Sequence, residues 1–179
     1  MLVFLDFEAS SLGKKGVPIE VAWVFEDGRS ESHLIRPAPG WDDWDVEAEA
    51  IHHIPRDTLM QDGTPHDQLA RHMVEALGGH DLLASAPSWD GKWLSALLRA
   101  AGLPRHSLRL RDSEEAFRDA ARTGLRPTTP PDLIAGTADA IVAAVLARFR
   151  AMPPAHRALA DAERERARWL SVRDMAAQE

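Results

Sequence analysis

This sequence predicts a mixed α/β fold, one sheet with helices on both faces, and three observations carry that expectation. The chain opens with LVFLDF, an apolar run of strand formers without alternation, as a central strand buried on both faces requires. Two further runs, PIEVAWVFE and ESHLIR, bracket Asp27-Gly28, a dipeptide suited to the tight turn of a hairpin. Beyond residue 66, strand-length apolar runs alternate with segments of helical period, the pattern of strand-helix-strand units.

In chain order, strands are expected at residues 2–7, 18–26 and 31–36, with the loop SSLGKKG after the first. Residues 42–50 and 66–78 read as helices, the second closing at Gly78-Gly79. LLASA (82–86) reads as a short buried strand. A helix from Trp89 to Ala101 follows, stopped by Gly102 with Pro104 just beyond, and SLRLRD (107–112) supplies a fifth strand. Helices come next at 113–122 and, after the break RPTTPPD, at 132–150. Pro153-Pro154 then interrupts the chain before a last helix through ADAERERARWL. The charges of that helix, Glu163, Arg164, Glu165, Arg166 and Arg168, are expected on a solvated face laced with ion pairs.

Size and composition set bounds. A chain of 179 residues, 45% hydrophobic and 27% charged, fits one domain spanning residues 1–179 with an ordinary core. With no cysteine, disulfides and thiolate zinc sites are excluded, so oxygen or imidazole must hold any metal. The apolar run Leu2 to Leu5 is broken by Asp6, far short of a signal core or a membrane span, and a cytoplasmic protein is expected. The net charge of −7 argues against a protein that clamps long duplexes by neutralising many phosphates. Lys14, Lys15, Arg99, Arg105, Arg109 and Arg111 remain available for local contacts.

Five residues stand out for their chemistry. Asp6 and Glu8 are alternate residues at the end of the first strand, so both side chains project to one side. An isolated D-x-E triplet carries little, yet acids ending a buried strand need a counter-charge, and no Lys or Arg precedes Lys14. Asp90 follows the second buried strand, either as a first-turn acid behind an Ser88 cap or as a third carboxylate converging on Asp6. His156 and Asp161 are five apart and would diverge on one continuous helix. If the helix starts after His156, both can reach the same point. Four carboxylates and a histidine are the means to hold two hard divalent cations and a general base around a phosphodiester.

This set resembles the DEDDh (DnaQ-like) group of 3'–5' exonucleases in the RNase H-like superfamily. The resemblance rests on D-x-E in strand one, an Asp opening the helix after strand four, and HRALAD near the C-terminus, and it spans Asp6 to Asp161. It implies a five-stranded sheet of order 3-2-1-4-5 with strand 2 antiparallel, and two Mg2+ or Mn2+ ions held by Asp6, Glu8, Asp90 and Asp161. It also implies His156 as the general base. IHHIPRDTL resembles the group's nucleotide-pocket segment, which places His52 in a substrate pocket with Leu12 as an apolar wedge and Ala9 beside them. Two departures bear on substrate choice: Ser85-Ala86 replaces a usual His-Asn, and His53 stands where glycine is usual.

The implied activity is release of nucleoside 5'-monophosphates from the 3' end of single-stranded DNA or RNA, or from a short oligonucleotide. Two alternatives stand beside it: a non-catalytic RNase H-like nucleic-acid-binding module, and a phosphodiesterase for dinucleotides or very short oligoribonucleotides. A homodimer stays open. Of six tryptophans, Trp41 and Trp44 are the two considered for base stacking, and packing is expected for Trp23, Trp89, Trp93 and Trp169.

Overall fold

The computed structural model describes residues 1–151 and 155–179; Pro153-Pro154 lies outside the described residues. The expected hairpin forms first: β1 (Leu2–Ala9) pairs antiparallel with β2 (Pro18–Phe25), which pairs antiparallel with β3 (Ser30–Arg36). Gly28 takes φ +95° in the β2–β3 turn, a conformation that glycine adopts without a Cβ clash. The segment after β3 holds α1 (Val46–His52), α2 (Arg56–Asp62), a two-residue strand β4 (Thr64–Pro65) and α3 (His66–Leu77). Then come β5 (Asp81–Ala84), α4 (Pro87–Ala100), β6 (Leu110–Asp112), α5 (Ser113–Gly124), α6 (Pro131–Arg150) and α7 (Ala158–Ala176).

The sheet order is β4-β3-β2-β1-β5-β6. With β5 and β6 taken as the fourth and fifth strands, this is the expected 3-2-1-4-5 arrangement, β2 antiparallel, extended by the two-residue edge strand β4. Neither α2 nor β4 has a strong sequence signal. Seven residues behind Pro55 form α2, and Pro65 is the second and last residue of β4. Helix α4 begins two residues earlier than its apolar pattern suggests, because Pro87 suits the first helical turn; Ala86, not Ser88, is the capping residue.

Strand alternation divides the core. Val3, Leu5 and Phe7 of β1 and Val21, Trp23 and Phe25 of β2 pack against Leu69, Met73 and Leu77 of α3 and Trp93, Leu94 and Leu97 of α4. Phe4 of β1 and Leu83 of β5 face the other way, onto Phe117 of α5, Val142 of α6 and Trp169 and Val172 of α7. Each buried aliphatic or aromatic side chain contributes about 1.5–3 kcal/mol relative to exposure. Helices therefore cover both faces of the sheet. Among the described residues no helix is long and apolar enough to cross a membrane.

Candidate active site

The alternation that sends Phe4 towards α7 also sends Asp6 and Glu8 there, since all three are even-numbered residues of β1. Opposite them in the register lie Ala22 and Glu20 of β2. The third carboxylate arrives from α7. That helix starts at Ala158, so Asp161 occupies its first turn and His156 precedes the helix with φ +53°. This is the break that lets residues five apart reach one cleft. A carboxylate oxygen from each of Asp6, Glu8 and Asp161 lies within 4.8 Å of the others. Asp6, Glu8, His156 and Asp161 line one cleft of about 450 Å³.

Asp90 enters from the N-terminal turn of α4 and is 4% exposed. It lies outside that group of three, but its charge acts on Asp6 more strongly than that of any other residue. Backbone hydrogen bonds from Phe7, Ala86 and Asp90 itself hold its carboxyl.

Crowded, buried carboxylates resist ionisation. Asp6 is pushed well above the usual carboxylate range, first by burial and then by the charges of Asp90, Glu8 and Asp161. Glu8 is raised to about 7 by burial, then by Asp161 and Glu20, with Arg157 opposing. Asp90 is raised to about 7, again chiefly by burial. Hard divalent cations suit such an all-oxygen donor set and would relieve both its burial and its mutual repulsion, so the residues fit the implied metals.

A second, mostly apolar pocket of about 220 Å³ adjoins the cleft, with Phe7, Glu8 and His156 belonging to both. Ala9, Leu12, Ile51, His52 and Trp93 line it, so the three residues expected to touch substrate are gathered there. Leu12 is 72% exposed at the rim of this pocket. His52 is buried, and burial lowers its pKa. Its Nδ1 accepts a hydrogen bond from the Ile54 N–H at 3.0 Å, which places the ring proton on Nε2, a buried atom without a partner among the described residues.

His53 leaves this pocket alone. It is exposed, absent from the lining, and caps α1 in the left-handed region at φ +56°. Glycine is usual there because the backbone turns, and the pocket is not narrowed by the histidine side chain. Ser85, at the position of the usual histidine, does line the carboxylate cleft.

Three features escaped the sequence reading. Glu165 is not on a solvated face: it is 6% exposed, lines the cleft with Arg164 and Arg168, and accepts hydrogen bonds from Ser113 Oγ and Arg168 Nη1. Its position four residues after Asp161 is the signal that could have revealed this, since i and i+4 share a helix face. Glu20 is 1% exposed, pairs with Arg157 at 2.7 Å and accepts the Ala158 N–H at 3.0 Å, anchoring the start of α7 to β2. A lone acid within PIEVAWVF is the clue, because a buried charge demands a partner. The tryptophans also change places. Trp41 packs on the core and Trp44 packs on His52 while donating to Glu49, whereas Trp89 is partly exposed beside Trp93 with Lys92 Nζ over both rings.

No protein-family profile and no curated protein sequence matches the chain. Solved structures do. Exonuclease I of E. coli in its zinc-bound complex with single-stranded DNA aligns at a TM-score of 0.63 and 18% identity, over 93% of this chain and 38% of its own. Exonuclease I from Methylocaldum szegediense gives 0.63 and 18%, over 94% and 40%. The E. coli enzyme with a dA16 oligonucleotide gives 0.63 and 16%, over 99% and 42%. This chain thus spans about two fifths of the length of those enzymes, and what it shares with them is the RNase H-like fold.

Proposed function

We propose that this chain is a metal-dependent 3'–5' exonuclease that releases nucleoside 5'-monophosphates from the 3' end of single-stranded nucleic acid. One observation carries the reading. The carboxylate cleft opens beside a small, largely apolar pocket, so a chain end seated in that pocket would lay its last phosphodiester along Asp6, Glu8 and Asp161. The fold it shares with enzymes crystallised on oligonucleotides supports the same reading, and single-stranded DNA is the first substrate to test.

Asp6, Glu8, Asp90 and Asp161 would hold the two divalent cations, Mg2+ or Mn2+. Once bound, the ions supply Lewis acidity and charge neutralisation at the phosphate. His156, on the boundary between cleft and pocket, takes the proton of the attacking water. His52 Nε2–H offers a hydrogen bond to the terminal nucleoside, and Leu12 covers its base. Arg150 adds positive charge to the same cleft wall, where a phosphate must sit against an acidic protein, while Arg168 offsets the charge of Glu165. The same acidic balance favours short substrates, so dinucleotides and very short oligoribonucleotides form the second reading.

The test is a digestion panel of 5'-labelled single-stranded DNA, single-stranded RNA and dinucleotides with Mg2+, Mn2+ or EDTA. Ladders shortening from the 3' end only with metal are expected. Asp6→Ala should abolish them, and His156→Ala should slow them by ~100-fold to 10,000-fold while circular dichroism stays native. Cleavage of 3'-blocked strands at the same rate would make the enzyme an endonuclease. No metal-dependent cleavage of any substrate would leave a binding module.

A further inference from the structure

A second cluster of metal-ligating side chains lies on the opposite face of the sheet from α7. Glu31 and His33 are alternate residues of β3, and they pair in register with Trp23 and Val21, whose side chains face α3 and α4. His72 reaches the same point from α3. Both imidazoles aim Nε2 at one atom, Glu31 Oε2, at 3.1 Å from His33 and 2.6 Å from His72. One ligand atom from each of the three falls within 4.8 Å of the others.

The rings are held before any ligand arrives. Trp23, fully buried, stacks on His33 with centroids 5.1 Å apart and tilts against His72 at 5.8 Å, while the two imidazoles meet edge to face at 5.7 Å. A preorganised pair of imidazoles plus a carboxylate is a donor set of borderline character, better suited to Zn2+, Ni2+ or Cu2+ than to Mg2+. Ligands about 2.0–2.1 Å from a tetrahedral Zn2+ stand about 3.3 Å apart, close to the His33 contact; rotation of the half-exposed Glu31 carboxylate opens the shorter one. The cluster is only partly buried, so water can fill a fourth position.

We propose that Glu31, His33 and His72 form a transition-metal site, independent of the carboxylate cleft, in which the ion ties β3 to α3. Its role is to staple helix to sheet far from the reacting phosphate.

The experiment uses the full chain carrying Asp6→Asn and Asp161→Asn, so that the cleft no longer competes. After incubation with Zn2+ alone and desalting in excess Mg2+, elemental analysis should find one Zn2+ per chain. Zn2+ at about 100 times its dissociation constant should raise Tm by about 5–10 °C. Adding Glu31→Gln, or separately His72→Ala, should remove both the ion and the shift, with circular dichroism confirming the fold. Absence of retained Zn2+ before those additions, or equal retention after them in folded protein, would overturn the site. Either result leaves the exonuclease reading untouched, since that rests on the other face of the sheet.

Discussion

Glu8 and Asp90 show how single side chains tune this protein. Both are raised to about 7, from ordinary values of 4.5 and 3.8, so the metal-free fold binds their protons more tightly than the unfolded chain does. Stability is therefore highest at the acid end of that window, falls as pH rises from about 4 towards 7, and levels off above. For Glu8 alone the loss is about 3 kcal/mol. Urea unfolding in EDTA at about pH 5 and about pH 8 should show it, and Glu8→Gln should remove the Glu8 share; a wild-type protein more stable at the higher pH would contradict this. Bound cations reverse the trend, because they displace those protons. His53 makes a separate prediction. Its φ of +56° costs a non-glycine residue, so His53→Gly should raise stability by about 0.5–1 kcal/mol without altering cleavage, as its side chain lies outside the pocket.

At the scale of elements, the site is made by β1, α4 and α7. The acids of β1 were legible because period-two alternation fixes which way Asp6 and Glu8 project. The break before α7 was legible because His156 and Asp161 could converge in no other way. The inner face of α7 was not legible: an alternating run of Glu and Arg looks solvated until the register of the helix on the sheet is known, and Glu165 then turns inward. The tie between Arg157 and Glu20 joins residues 137 apart, a pairing that only the fold reveals. Arg157→Ala leaves Glu20 buried with, among the described residues, the Ala158 N–H as its remaining partner, and should cost about 3 kcal/mol in denaturant unfolding. It should also slow cleavage, by loosening the segment that carries His156. An unchanged midpoint and unchanged turnover would mean that α7 is held by its apolar face alone.

Over the whole molecule, the parallel strands β1 and β5 bring their C-terminal ends together, and α4 and α7 enter that end from opposite faces. Acids scattered from residue 6 to residue 161 meet there as a result. The sheet order was readable from the resemblance of three short motifs, while α2 and β4 were not, being too short to show a period. In a chain of net charge −7, the proposed cations would offset the acids Asp6, Glu8, Asp161 and Glu165, which share the cleft with Arg150, Arg164 and Arg168. The proposed binding of divalent ions by these carboxylates can be read from a Mn2+ titration followed by electron paramagnetic resonance of the free ion. Wild-type protein should take up two Mn2+ per chain, and Asp6→Asn should lose that uptake while remaining folded. Equal Mn2+ binding by the wild type and Asp6→Asn, or none by either, would contradict it.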